Sequence, residues 1–393
     1  MKNVKPILLV LISILLTFCK DNPTQVIENI PETVDNIFSS LIKIENSIDI
    51  GGEKTNFNFK VIAKSESDSN LILDRKIKWD FDSDGVFDTE WIEADTISNI
   101  FTDIGKHNIT ANIMLDSNKI AVCSSFVYSQ PIINFSQIDT TYVVHEMCYS
   151  HDEEKIFFAW GGYPHKIYSM DKDGNNIECI TCNLDSEDCR HYPSASPDGK
   201  YIAYDYKHRL NILDLETKIE KQLSTVFYSN SNIFTNDSKY CLLTNPDNRE
   251  IQLIDIENGK DSLLIKSSHK IFASPIPNEN KIAYYEYDTE YSYPITYSNI
   301  KLYFYDLEKK QIFKTYDDIP LVGNYQVLAG ANAIYFTELH ILYFLETGNS
   351  YKIDATEYRI WEYWQSAISK HGNEILFAAN RGLIKFSLPT DLE

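Results

Sequence analysis

Apolar and polar residues alternate with a period of two along much of this chain, beginning near residue 42. The first alternating runs are LIKIENSIDI, TNFNFKVIAKS, RKIKWDFDSDG, HNITANIML and IAVCSSFVYS, separated by segments rich in turn residues. Successive side chains of a strand point to opposite faces of a sheet, so this pattern predicts strands with one buried side. No run shows the 3.6-residue period of an amphipathic helix. Residues 42–130 are expected to form a small β-sandwich, and the whole chain to be all-β.

A longer pattern starts near residue 137. The turn-like segments SHDEEK, SPDGKY, TNDSKY, PNENK, AGANA and SKHGNE each precede a hydrophobic strand. Those strands begin at Ile156, Ile202, Cys241, Ile282, Ile334 and Ile375, with spacings of 46, 39, 41, 52 and 41 residues. A period of about 44 residues is that of four-stranded propeller blades, none of which can bury its apolar face alone. A second strand follows each first one and usually ends in an acid and a turn, as in LNILDLETK and IQLIDIENG. The turn SPDG is punctuation: Pro197 fixes φ, Asp198 caps the turn, and Gly199 takes the position of positive φ. The long spacing comes from an insertion, YDTEYSYPITYSN, which lengthens one hairpin. The segment IDTTYVVHE, before the first repeat, is expected to complete the last blade and remove an open edge.

These repeats resemble the TolB-like, or WD-repeat-like, β-propeller, over about residues 137–390. The segment IKWDFDSDGVFDTEW, followed by FTDIGKHNITANIMLDSNKIA, resembles the PKD domain, an Ig-like sandwich. Trp79, Asp80 and Phe81 match its first element; Phe101, Gly105 and the strand from His107 match its second, with His107 in the place of an aromatic. The alternation predicts Trp79 and Phe81 inside and Asp80 and Asp82 outside. The expected fold is a PKD-like sandwich followed by a six-bladed propeller.

The first nineteen residues stand apart. A basic start, MKNVK, leads into PILLVLISILLTF, an apolar run of thirteen residues that ends at Cys19. Such a run is short for a bilayer span and has the form of a targeting segment. Leu16-Thr17-Phe18-Cys19 resembles the lipobox of bacterial lipoproteins, with Phe18 where that family has a small residue. The resemblance implies acylation of Cys19, a polar tether over residues 20–41, and export to the cell envelope, at the outer membrane or cell surface.

Composition narrows the function. The chain of 393 residues has a net charge of -21, which repels phosphate backbones and disfavours nucleic acid as a partner. Its 26 Tyr and 20 Phe suit strands. CITCNLDSEDCRH gathers Cys179, Cys182, Cys189 and His191, but only one C-x-x-C spacing is present, which favours a loop disulfide or plain thiols over zinc. In HEMCYSH the second His falls six residues after the first, in strand-like sequence, where helical ligand spacing has no meaning; His145, Glu146 and His151 read as structural. No G-x-S-x-G, H-E-x-x-H, G-x-x-x-x-G-K-[ST] or G-x-G-x-x-G motif occurs. Aromatics in the insertion and in YRIWEYWQS, namely Tyr291, Tyr293, Tyr297, Trp361 and Trp364, are candidate partner contacts, although blade aromatics more often pack the core and Trp361 and Trp364 read more readily that way. The expected role is a non-catalytic binding or scaffold module contacting a protein or glycan; the alternative is a polysaccharide lyase or glycoside hydrolase that works through its central channel.

Asp80, Asp82, Asp84 and Asp88, with Gly85, mimic the start of a calcium loop, although Trp91 stands where an EF-hand has its closing Glu. Calcium held at this turn raises the melting temperature of the chain; a temperature unmoved by millimolar calcium rejects the cation.

Overall fold

In a computed structural model, the described residues are 33–392 apart from 53–54, 65–74, 117–118, 136–137, 139–143, 185–186, 225–232, 246, 291–295, 318, 320–324, 338, 354–365 and 380–381. The lipidation candidate Cys19 lies outside them. The described chain is almost entirely β, with a single α-helix of five residues, Asn36–Ser40. Asp35 caps that helix, its carboxylate accepting the Ile37 and Phe38 amides.

The predicted strands of the first part form two facing sheets. One joins Thr33–Val34, Lys119–Gln130, Gly105–Asp116 and Ile77–Asp80, with Ile50–Gly52 also paired to Lys119–Gln130; the other joins Ile42–Asn46, Asn56–Ala63 and Thr96–Ile100. Phe57, Phe59, Trp79, Ile109 and Ala111 pack between them, all buried. His107 stacks on Phe101 with ring centroids 4.0 Å apart, so it occupies an aromatic position. Two expectations change. Thr33–Val34 and the short helix belong to this unit, so the last residues of the expected tether are folded against it. Asp80 is buried at 2% exposure rather than facing out, because its strand ends there and the chain folds over it. Its carboxylate accepts the Asp82 and Gly85 amides at 3.3 and 3.0 Å.

Among the described residues, the chain beyond residue 146 builds six small antiparallel sheets, five of them meanders and the sixth a meander joined by one strand from earlier in the chain. The strands Lys155–Trp160, Tyr201–Tyr206, Tyr240–Asn245, Lys281–Glu290, Glu374–Ala379 and Ala333–Phe336 are the six predicted repeat strands. The turns before them reuse one piece of chemistry. Tyr201 donates its amide to Ser196 Oγ and Lys200 donates to Asp198 Oδ1, with Gly199 at φ +72°. Ser150 with Asp152, and Thr235 with Asp237, repeat that pattern. Among the described strands of these six sheets, the inserted hairpin is the longest pair, Lys281–Glu290 with Thr296–Asp306.

The sheets follow one another around a single axis, the arrangement of a β-propeller. The innermost stretches of all six, including Cys148, Ala195, Phe234, Pro275, Val327 and Ile368, line one cavity of about 70 Å³. An inner strand is an edge, and its amides need partners. Side chains of the preceding sheet supply them: Ser194 accepts from Ile233, Thr244 from Ala273 and Gln326 from Ile368, at 3.0–3.1 Å. The first and last sheets are joined by Lys370, whose amide donates to Glu153 and whose ammonium donates to the His151 carbonyl. Ile132–Asn134, not IDTTYVVHE, completes the last sheet. Ile132 and Ile133 pair there with Phe386 and Lys385. The expected segment instead leads into the inner strand Met147–Tyr149 of the first sheet. Of the six remaining cysteines, Cys179 and Cys182 form a disulfide and Cys123, Cys148, Cys189 and Cys241 are buried thiols.

The sandwich is fastened to the propeller by backbone. Asp49 donates its amide to the Lys352 carbonyl at 3.0 Å and accepts the Lys352 amide on its carboxylate at 2.9 Å. Ile50 bridges Ile353, and Tyr128 donates to Asp391. Ile50 and Tyr128 share one apolar core with Leu342, Phe377 and Phe386. Replacing Asp49 with Ala removes the acceptor of the exposed Lys352 amide, which water can then satisfy, and is expected to cost about 0.5–1.5 kcal/mol. Calorimetry checks it: the variant melts earlier, with the sandwich separating from the propeller, whereas an unchanged single transition refutes the fastening role.

Candidate functional site

The meander topology puts three kinds of segment at one end of the ring. These are the starts of the inner strands, the hairpins between second and third strands, and the links from each outer strand to the next sheet. In the first sheet His145 and Glu146 lead into Met147–Tyr149 and are already paired to the next strand, His145 donating its amide to Ala159 and Glu146 accepting from it. His165 closes the adjoining hairpin, Trp160 to Lys166. His191 begins the inner strand of the second sheet, Arg190–Ala195. Arg190 donates its amide to the His165 carbonyl, which draws that hairpin against the second sheet.

Three imidazoles meet there. Ring centroids are 3.9 Å apart for His145 and His165, 5.4 Å for His165 and His191, and 5.7 Å for His145 and His191. His191 Nδ1 lies 3.1 Å from Glu146 Oε2, and His165 Nδ1 lies 3.0 Å from the Gly161 carbonyl. Both acceptors have only lone pairs to offer, so each Nδ1 carries the proton and each Nε2 is the basic nitrogen of a neutral ring. All three rings are half-buried, and Glu146 is buried.

Their electrostatics diverge. Burial and the neighbouring His165 push His145 down to about 4, and burial also lowers His165. Burial pulls His191 down too, but the hydrogen bond and charge of Glu146, with Asp205 and Asp188 behind, outweigh it and leave His191 raised. Adjacent titratable groups pushed in opposite directions mark a functional-site candidate. Arg190, on the other side of its strand, sits over the Tyr204 and Tyr206 rings and pairs with Glu220.

From the sequence His145 and Glu146 are expected to be structural and His191 to group with the cysteines; the structure gathers them with His165 instead. One signal was present. His145 and His191 are 46 residues apart, the same spacing as Ile156 and Ile202, so they hold equivalent positions in successive repeats. At the opposite end, which carries the SPDG-type turns, a cavity of about 440 Å³ between the first two sheets is lined by His151, Asp152, Asp198, Tyr201 and Lys218.

The acidic turn of the sandwich is a separate place. Asp80, Asp82 and Asp88 bring carboxylate oxygens within 4.8 Å of one another. Asp84 is not in that group and accepts the Val86 amide. Asp88 accepts the Phe81 amide, so these carboxylates also hold the turn itself. Tyr291, Tyr293, Trp361 and Trp364 lie outside the described residues, as does the side chain of Tyr297, whose backbone pairs with Thr289.

No family model and no curated protein matches this chain. Among solved structures, oligogalacturonate lyase from Vibrio parahaemolyticus is similar at 9% identity, with a TM-score of 0.46 over 67% of this chain and 95% of that one. An auxiliary nutrient binding protein from Bacteroides thetaiotaomicron is similar at 10% identity, TM-score 0.42, over 88% and 97% of the two chains. TolB from Acinetobacter baumannii is similar at 14% identity, TM-score 0.38, over 92% and 86%.

The opposed shifts have a measurable sign. Lowered imidazoles favour the neutral ring in the folded state, so their support is full above the ordinary value of 6.5 and is lost as pH falls, for His145 through about 4. The raised His191 acts the other way; its support is full below 6.5 and fades as pH rises through its folded value. Melting temperature followed from pH 6.5 to 4 is expected to fall less steeply in His145→Asn than in the parent chain; parallel curves contradict the assignment.

Proposed function

We propose that this chain is an exported envelope protein, anchored through acylated Cys19, in which a PKD-type sandwich carries a closed six-bladed ring that binds a protein or glycan partner without turnover. The reading rests on the uneven end of the ring. The half-buried imidazoles of His145, His165 and His191 and the buried carboxylate of Glu146 stand at the same end of the ring as Glu290 and Thr296, where the described strands of its longest hairpin, Lys281–Glu290 with Thr296–Asp306, end. At the base of that hairpin His269 pairs with Asp288 at 2.7 Å, and Asn299 donates to the same carboxylate. Polar groups held by the fold beside a projecting hairpin suit recognition of a hydroxyl-rich or peptide surface. Among the described residues no helix is long and apolar enough to cross a membrane.

A second reading, a polysaccharide lyase or glycosidase, has one observation in its favour. A depressed imidazole beside a raised one is an arrangement that can take and give a proton.

Capture from envelope extracts and glycan panels tests the first reading. His191→Ala is expected to weaken capture about tenfold, and deletion of residues 291–295 to weaken it as well. Capture indifferent to both changes overturns it. Turnover of an acidic or neutral polysaccharide that disappears in His191→Ala replaces it with the second reading.

A further inference from the structure

We propose that His145, His165 and His191 form a binding site for one late first-row divalent cation of the zinc class, with Glu146 as the residue that positions His191. The inference concerns the same cluster as the recognition end but does not require that a partner bind there. Three observations carry it. First, three imidazoles from two sheets converge at a half-exposed place, which a solvated cation can reach.

Second, the hydrogen bonds are those of a prepared ligand set. A histidine that holds a metal through one nitrogen ordinarily donates its other N–H to a carboxylate or a backbone carbonyl. His191 donates to Glu146 and His165 to Gly161, so both present Nε2. Third, the surroundings are acidic. Asp188 and Asp205 lie close enough to act on His191, and the nearest guanidinium, Arg190, is turned away over two tyrosine rings. A dication is stabilised by that field, and imidazole nitrogen favours zinc, copper or nickel over magnesium or calcium.

The geometry sets one condition. Three imidazoles tetrahedrally arranged around a metal, with metal–nitrogen bonds of about 2.0–2.1 Å, put ring centroids about 5 Å apart. Both pairs involving His191 stand near that value, at 5.4 and 5.7 Å, while His145 and His165 are at 3.9 Å. The ring nitrogens are not yet gathered to ligating spacing; among the described residues only the Asp80 trio is. Binding therefore turns the His145 ring away from His165, and a water or a group of the partner fills the fourth position.

Cobalt(II) titration of the full chain, purified without a polyhistidine tag, tests this directly. A single Co²⁺ per chain is expected to give the visible absorption of a tetrahedral centre, and Zn²⁺ is expected to displace it. His165→Ala and His191→Ala should each abolish the band, and Glu146→Gln should weaken binding roughly 10- to 100-fold. His269→Ala, at the other hairpin, should leave it unchanged, as should Asp82→Asn in the acidic turn. Metal-free variants that keep the parent's circular dichroism and melting temperature exclude misfolding as the cause; where an alanine variant unfolds, His165→Asn replaces it. No tetrahedral band, or a band that survives loss of two of the three histidines, overturns the site. Metal binding without partner capture leaves this site standing and removes only the recognition role.

Discussion

A meander of three or four strands has two apolar faces and an inner edge of unpaired backbone groups, and it can satisfy neither alone. The C-terminal part of this chain meets that constraint by repetition. Each sheet lays its faces on its neighbours, so Ile202, Tyr204 and Leu213 of the second sheet share a core with Cys148, Phe157 and Ile167 of the first. Three of the inner edges are met by side chains from the sheet before them, those of Ser194, Thr244 and Gln326. Burial of this kind contributes on the order of 25 cal/mol per Å² of apolar surface, and it is available only when the neighbour is present. The ring is thus a single cooperative object, and the last sheet has to borrow Ile132–Asn134 from before the first to complete itself.

The histidine cluster is a consequence of that closure. His145 and His191 lie on different sheets, and only the packing of the first sheet on the second brings them within 5.7 Å. The same contact sets their charges. Burial lowers His145 and His165, while Glu146, itself buried in the first sheet, reaches across to hold His191 raised. The spacing and charge of these groups therefore depend on the relative placement of two sheets rather than on any one loop.

The sandwich is not a bead on a string. Gly51 and Gly52 let Ile50–Gly52 run close to its neighbours, where an added Cβ meets Thr55 at 2.5 Å and Ile132 at 2.0 Å. Ile132 is also a member of the strand that completes the last sheet, so the small domain and ring closure share residues. Orientation of the sandwich and integrity of the ring are mechanically linked through that short segment.

Local order was written in the sequence. Alternation located the repeat strands to within a residue, and Ser/Thr-x-Asp turns announced where three of them began, because strand period and turn chemistry depend on neighbouring residues alone. The repeat period implied sheets that need one another. What the sequence could not express were contacts between residues distant along the chain. The burial of Asp80 under its turn, the role of Ile132–Asn134 and the junction at Asp49 all belong to that class. So does the meeting of His145, His165 and His191. Residue type told that each could titrate; only the packing of two sheets decided that they would meet and be shifted in opposite directions.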